Sequence, residues 1–527
     1  MGKGYKELYE QWIANCPEYK DELAGMDEAL QADAFGSNLK FGTAGLRGVM
    51  GPGTNRMNEY VVRKATQGLA DYLNANFSNP SVSIAYDSRN NSQVYAEESA
   101  RVLAANGVKT YLYSRLMPVP VLSFTVRRLG TTCGIVITAS HNSREYNGYK
   151  VYGSDGGQIL ESAADEILQR IGEVDMFGGV KTVEFKPAEG SLIEYVSESI
   201  YEEYMDAMMK ATDICKDTDV DILYTPLNGS GLQPVTDMFC RCGFGVRILE
   251  IQKEPDGDFP TCTYPNPEKP ETYKEALAEA NGCDIIVATD PDCDRVGCMV
   301  KKAEGEYQLL SGNEIGTLFA YYMCGMEEAA GKTIVSSLVS TPLTDRIADA
   351  YGVKTRRTLV GFKYIGEQMN ELQEDFLFGF EESNGYLTGL YARDKDGVCG
   401  TRMLCSLAAY YKAQGKTLTD VLEEIYDRFG GCVNSTISIE TEGAPLMKKV
   451  RDAVASGTTA KDVTEVLDYS GGIKGLPKAE IVQMNYEDGS RLIIRPSGTE
   501  PKVKLYISAG STGRVEEIAE QLKNITA

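Results

Sequence analysis

The sequence predicts an α/β protein of several domains that ends in an α+β domain. Three observations carry this expectation. The chain has 527 residues, more than the roughly 250–300 at which a single core stops growing. Apolar β-type runs alternate with amphipathic helical patterns over most of its length. Beyond residue 425 the pattern changes to short alternating strands beside two helices. The expected divisions are 1–190, 191–304, 305–425 and 426–527.

In chain order, strands are expected at Val82–Tyr86, Val108–Tyr113, Ile135–Ile137, Asp221–Tyr224, Val246–Ile251, Cys283–Ala288, Thr333–Val339 and Phe376–Phe380. Each is short, apolar and rich in β-branched or aromatic residues. Helices are expected at Tyr60–Ala75, Ser162–Ile171 and Thr344–Tyr351, where apolar residues recur at helical spacing. The C-terminal part reads as strands Val433–Glu440, Ile481–Tyr486, Arg491–Ile494 and Lys502–Ile507, with helices Ala444–Ala455 and Arg514–Asn524.

Four strands run into turns of small and polar residues: Thr138–Asn142, Thr289–Asp294, Glu381–Gly385 and Arg495–Thr499. Ligands of open α/β sheets bind beyond the carboxyl ends of the strands, so these turns are the first places to seek a site.

Composition excludes several classes. Net charge is −23, against a nucleic-acid or anionic-membrane partner, both of which need a basic footprint. No apolar run reaches the roughly 18 residues of a membrane span, and the N-terminus has no apolar signal core. A cytoplasmic location is expected, as a monomer or small homo-oligomer. The 13 cysteines include no Cys-x-x-Cys, the closest pair being Cys240 and Cys242, so they read as reduced packing residues. There is one histidine, His141. Multi-histidine zinc sites are thereby excluded. A Ser-His-Asp triad would have to use His141, for which the adjacent Ser140 is expected to be a poor geometric partner. Chemistry must then rest on carboxylates, lysines, arginines, hydroxyls and a metal.

Asp290, Asp292 and Asp294 follow an apolar run at i, i+2 and i+4. An extended chain would point all three to one face, and such close like charges call for a divalent cation. Oxygen donors alone suit Mg²⁺. An EF-hand fails, because Arg295 and Lys301 stand where Gly and Glu are required. Two rivals stay open: a solvated acidic turn, and a haloacid-dehalogenase-type phosphatase with Asp292 as nucleophile in Asp292-Cys293-Asp294-Arg295-Val296.

Ser140, in Thr138-Ala139-Ser140-His141-Asn142, could accept a phosphoryl group if cations such as Lys150 and the metal neutralise its oxygens. Such a serine is more commonly a turn former, and His141 a hydrogen-bonded strut rather than a base. Phe41–Gly48 is glycine-rich and carries Arg47. The Gly-Lys-Thr runs at 331–333 and 415–417 lack the upstream glycine of a Walker A. Arg495, Ser497, Gly498 and Thr499 have the parts of a phosphate nest, and Glu381, Glu382 and Ser383 could hold sugar hydroxyls. Arg393, Lys395 and Asp396 read equally as a mixed-charge surface loop.

The order of these motifs resembles the α-D-phosphohexomutase family, in its phosphoglucomutase and phosphomannomutase branch. The resemblance rests on Phe-Gly-Thr-Ala-Gly-Leu-Arg-Gly from 41, Thr-Ala-Ser-His-Asn from 138 with Tyr-Asn-Gly-Tyr-Lys from 146, Asp-Pro-Asp-Cys-Asp-Arg from 290, Glu-Glu-Ser-Asn-Gly from 381 and Arg-Pro-Ser-Gly-Thr-Glu-Pro-Lys from 495. It implies three α/β domains and a C-terminal α+β domain around a central cleft. It also implies a phosphorylated Ser140 beside Mg²⁺ held by Asp290, Asp292 and Asp294. Arg47 and Arg295 would lie by the reaction centre, and Lys150 would move protons. Glu381 and Ser383 would hold the sugar, while Arg495, Ser497, Gly498 and Thr499, helped by Lys395, would grip the phosphate not in transfer. The implied activity interconverts sugar 1- and 6-phosphates, glucose before mannose, with a sugar 1,6-bisphosphate as activator. Phosphopentomutase activity and non-catalytic phosphosugar binding are the alternatives. Two departures stand out: Ser143 where the family often has Pro, expected only to loosen the turn, and Phe380 where many members have Gly, which leaves the sugar preference open.

Overall fold

The computed structural model describes residues 4–42, 45–213, 218–302, 305–473, 475–497 and 502–526. The chain folds into two compact units, Met1–Leu310 with Gly385–Gln414, and Ser311–Asn384 with Gly415–Ala527.

The first unit holds two sheets. The larger has seven strands, ordered Phe41–Gly42, Gly45–Val49, Tyr146–Gly153, Cys133–Ile137, Ser81–Tyr86, Lys109–Leu112 and Ile193–Tyr195. Its Cys133–Ile137, Ser81–Tyr86, Lys109–Leu112 and Ile193–Tyr195 strands run parallel, while Tyr146–Gly153 returns antiparallel beside Cys133–Ile137. Cys133–Ile137 is buried at every position, as a parallel strand covered on both faces should be. Helix Glu59–Asn76 starts where the Asn58 side chain accepts from Val61 N at 2.9 Å. Helix Val119–Leu129 stops at Gly130, whose φ of 64° ends it in the left-handed region. The smaller sheet is ordered Tyr307–Leu310, Val296–Lys301, Ile285–Thr289, Ile222–Thr225, Val246–Ile248.

Two expectations change here. Val246–Ile251 ends as a strand at Ile248, and Glu250–Gln252 turns into a 3₁₀ helix. Tyr5–Asn15, Lys20–Ala24 and Glu28–Phe35 are helices with no counterpart in the sequence reading. They gather on fully buried Trp12, whose ring meets Phe35, Tyr60 and Phe177 edge-on. The weak amphipathicity of these short helices hides them, because one tryptophan supplies most of the packing.

In the second unit, Lys354–Thr358, Thr333–Ser337 and Phe376–Glu381 form parallel pairs, with helices Gly312–Cys324, Leu343–Ala350, Phe362–Leu372 and Leu418–Phe429. Capping boxes, Ser311 with Glu314 and Thr417 with Asp420, start two of these helices. The C-terminal part is an antiparallel sheet ordered Val433–Glu440, Lys502–Ala509, Arg491–Pro496, Val482–Tyr486, Val463–Asp468, with helices Gly443–Ala455 and Thr512–Thr526. This α+β arrangement agrees with the alternation in the sequence; strand Val463–Asp468, with few buried positions, gave no such signal.

Candidate active site

Two hairpins of the first unit build the centre. Strand Ile285–Thr289 turns back into Val296–Lys301, Thr289 opposite Val296, so Asp290–Arg295 is the connecting turn. It is not an extended segment: Cys293 N bonds Asp290 O at 2.8 Å and Cys293 has φ 49°. The carboxylates therefore meet because the chain coils around them, which corrects the expectation of an extended face. Ligand oxygens of Asp290, Asp292 and Asp294 lie within 4.8 Å of one another, and the three residues are at most 1% exposed. A solvated acidic turn is thereby ruled out.

Other elements hold this turn by its carbonyls. Ser230 N and Oγ donate to Pro291 O, each at 2.8 Å. Val119 N donates to Asp292 O at 3.0 Å, and Gly397 N to Cys293 O at 3.0 Å. Gly397 must lack a side chain, since a Cβ would sit 2.7 Å from Cys293 O.

The second hairpin joins Cys133–Ile137 to Tyr146–Gly153, Ile137 opposite Tyr149. Ser140 lies in it at φ 53°, an uncommon conformation for a residue with a side chain. Its Oγ donates to Asp290 Oδ2 at 2.9 Å and lies 3.2 Å from His141 Nδ1. The sequence reading held His141 a poor partner for its neighbour; the left-handed turn brings the two within hydrogen-bond reach. Lys150, on the returning strand, donates to Asp292 Oδ2 at 2.8 Å, where Thr138 Oγ1 also donates at 3.2 Å. Lys395 pairs with Asp294 Oδ2 at 2.8 Å. Arg295 pairs with Glu268 at 2.6 Å and lies 3.8 Å from Asp294 Oδ1. Arg47 Nη1 donates to Asn142 Oδ1 at 3.2 Å.

Electrostatics follow from this crowding. Burial, then the Asp292 and Asp294 charges, push the Asp290 carboxyl well above the ordinary range. Burial acts on Asp292 in the same sense, but Lys150, a hydrogen bond with Asp290 and the Lys395 charge together outweigh it and hold that carboxyl below its usual value. Burial and the Arg295 and Arg47 charges keep His141 well below the ordinary imidazole range, neutral at pH 7. Asp292 Oδ1 and Asp294 Oδ1 are buried without a hydrogen-bond partner among the described residues. Unspent oxygens on converging carboxylates fit a hard divalent cation.

Arg393, Lys395 and Asp396 are buried rather than a surface loop. Asp396 caps helix Gly397–Lys412 through Val398 N and Cys399 N, and accepts from Tyr204 and Tyr391 hydroxyls at 2.8 and 2.7 Å. The remaining candidates belong to the second unit. Glu381 accepts from Gly361 N at 2.8 Å, and Ser383 is partly exposed in the following turn. Arg495 and Ser497 close strand Arg491–Pro496 and its exit, where Ser497 N donates to Lys502 O at 2.7 Å. Gly498 and Thr499 lie outside the described residues, as do Thr43 and Ala44 of the glycine-rich opening.

All four domain models of one family match this chain: phosphoglucomutase/phosphomannomutase alpha/beta/alpha domains I, II and III over residues 38–176, 202–305 and 311–429, and the C-terminal domain over 444–525. The chain belongs to the phosphoglucomutase/phosphomannomutase family. A phosphoglucomutase of Staphylococcus saprophyticus is 32% identical over 542 residues, covering 97% of this chain and 98% of that protein. The solved structure of a phosphoglucomutase/phosphomannomutase family protein from Burkholderia thailandensis has a TM-score of 0.73 at 21% identity, over 93% of this chain and 97% of that one. An N-acetylphosphoglucosamine mutase of Aspergillus fumigatus, solved with GlcNAc-6P and magnesium, has a TM-score of 0.52 at 13% identity, over 100% and 99% of the two chains.

As a phosphoglucomutase/phosphomannomutase family member the protein is an isomerase, a phosphohexomutase. The phosphatase reading of Asp292 and the non-catalytic binder both fall. The family's structural departures are local. Ser143 leaves its turn closed, with Tyr146 N on Ser143 O at 3.1 Å. Phe380 is fully buried, stacked on Phe378 and packed on Gly316, where a Cβ would come within 2.5 Å of its ring; it is a core residue. Sequence reasoning missed Arg89. This fully buried side chain pairs with Asp87 and donates to the carbonyls of Ser140, Asn142, Ser143 and Tyr146, fixing the serine turn. A signal was present: Asp87-Ser88-Arg89 follows Ser81–Tyr86 as another polar turn at a strand's carboxyl end. Glu382, one of the three residues expected to hold sugar hydroxyls, accepts from Ser337 Oγ at 2.8 Å.

Proposed function

We propose that this phosphohexomutase interconverts glucose 1-phosphate and glucose 6-phosphate, with mannose phosphates as second substrates, through a phosphorylated Ser140 and a sugar 1,6-bisphosphate, in the cytoplasm. The observation that carries the reading is the 2.9 Å contact of Ser140 Oγ with Asp290 Oδ2, at the mouth of a carboxylate cluster with unspent oxygens. The glucose preference is supported by the names of the curated relatives.

Asp290, Asp292 and Asp294, with an oxygen at Ser140, would hold Mg²⁺, the metal of the fungal mutase complex. Bound there, it supplies positive charge to the phosphoryl oxygens in transit. The hydroxyl oxygen of the sugar monophosphate forms its bond to phosphorus as the bond from phosphorus to Ser140 Oγ breaks, the electron pair staying on Oγ. The hydroxyl proton passes to Lys150, which takes it as the neutral amine after releasing to solvent the proton it carries in its pair with Asp292. After the bisphosphate reorients, the steps reverse: the other phosphate returns to Ser140 and Lys150 gives the proton back. Arg47, Arg295 and Lys395 offset charge, and neutral His141 orients the Ser140 hydroxyl. Glu381 and Ser383 hold sugar hydroxyls. Arg495, Ser497, Gly498 and Thr499 grip the stationary phosphate, a role the guanidinium fork suits in both substrate orientations. A trace of sugar 1,6-bisphosphate primes unphosphorylated enzyme.

The test compares kcat/KM for the 1-phosphates of glucose, mannose, ribose and deoxyribose, with Mg²⁺ and bisphosphate primer. Glucose should lead; a pentose in first place would replace this reading by a phosphopentomutase. Labelled phosphate should survive acid and hydroxylamine, as phosphoserine does.

A further inference from the structure

In the second unit a cavity of about 630 Å³ is lined by Arg356, Arg357, Arg491, Asp345, Gln483 and Tyr469, among others. Its three guanidiniums are not equivalent. Arg357 is spent on its neighbours: it donates to Ser336 Oγ and to the carbonyls of Ser337, Ser340 and Thr341, and pairs with Asp345 at 2.7 Å. Arg356 pairs with Glu371 at 3.0 Å and bonds Gln368. Arg491 donates to Ser340 O at 2.6 Å, and no carboxylate among the described residues stands within ion-pair distance of it. Burial and the adjacent Arg357 charge pull its pKa down to about 10, which still leaves it charged at neutral pH. A partly buried cation without a counter-ion, in a chain of net charge −23, is an unfilled electrostatic demand.

We infer that this cavity binds a small organic phosphate, whose oxygens neutralise Arg491 while its body rests against Tyr469 and the leucine wall of Leu338, Leu467 and Leu476. The forked guanidinium suits a phosphate dianion better than a point charge would, and the volume is that of a metabolite site. The position gives the ligand a use. Arg491 opens the strand that ends at Arg495 and Pro496, whereas Arg357 fastens Ser337 and Ser340, whose hydroxyls hold Glu382. An anion between the two guanidiniums ties together the segments that carry the sugar and phosphate contacts proposed above.

The test follows thermal unfolding of the full chain carrying Arg495→Gln, which disables the proposed substrate grip. Inorganic phosphate is titrated against chloride at matched ionic strength. A saturable rise of about 3 °C is expected, and it should vanish in the Arg491→Gln, Arg495→Gln double variant. Glycerol 3-phosphate should half-saturate at a concentration at least about threefold lower than inorganic phosphate. A rise that survives Arg491→Gln overturns the site, and equal potency of the two phosphates overturns the organic ligand. A rise present in the unsubstituted protein but absent in Arg495→Gln also overturns the site, while upholding the proposed role of Arg495. If Arg491→Gln does not fold, Gln483→Glu, which puts a repelling carboxylate in the cavity, takes its place with the same expected loss.

Discussion

Around Ser140 the carbonyls of Pro291, Asp292 and Cys293 each receive a donor from a different element, and Ser140, Lys150, Lys395 and the three aspartates are almost wholly buried, with Arg47 exposed at the edge. In the second unit, Ser383, Arg495 and Ser497 stand partly exposed at the ends of strands. The contrast matches what each region is proposed to do. Phosphoryl transfer needs charges fixed within fractions of an ångström, and fixing costs nothing at the moment of reaction if the surroundings already hold them. Gripping a substrate that binds in two orientations tolerates, and benefits from, looser side chains.

Substitutions should separate the two regions by kind as well as size. Ser140→Ala removes the proposed phosphoryl acceptor, and turnover in a coupled assay should fall by about 10⁴ or more, with substrate binding by calorimetry largely kept. Asp292→Asn should lower kcat by about 10³ and raise the Mg²⁺ needed for half-activity at least tenfold; an unchanged Mg²⁺ titration would separate Asp292 from the metal. Arg89→Met leaves Asp87 buried and unpaired, and should cost about 3–5 kcal/mol by urea unfolding, with little residual activity because the serine turn loses its four carbonyl bonds. Arg495→Gln should act differently, raising KM about 10- to 100-fold with a smaller fall in kcat; a pure kcat effect would erase the contrast.

The smallest effect concerns pH. Burial raises the Glu98 carboxyl, but Arg63 and Arg101 outweigh it and leave its pKa lowered from 4.5. A lowered carboxylate stabilises the fold above its unfolded pKa, and that contribution is lost as pH falls through the folded value. Glu98→Gln should therefore be less stable than the parent at pH 7, and the gap in urea midpoint should close on acidification below about pH 4. A gap independent of pH would assign Glu98 a packing role only.

Much of the fold was legible because strands buried on both faces must be apolar throughout, and because turns at their carboxyl ends must be polar. Ser140, Lys150 and the three aspartates are visible in sequence for that reason. The N-terminal helices around Trp12 were not, since their packing depends on Tyr60 and Phe177, which come from elsewhere in the chain. Arg89 was hidden for the opposite reason: an arginine after a strand reads as surface until the four carbonyls it serves are brought around it.

The sequence by itself determined the alternation of elements, the family, and which residue types could do the chemistry, because periodicity and motif order are local properties. Only the tertiary structure decided that Ser140 Oγ lies on Asp290, that His141 reaches its neighbour, that the aspartates converge by a turn rather than along a strand, and that Arg491 has no counter-ion among the described residues. Each of these depends on distances between segments far apart in the chain or on a left-handed residue. Neither leaves a mark in composition or spacing.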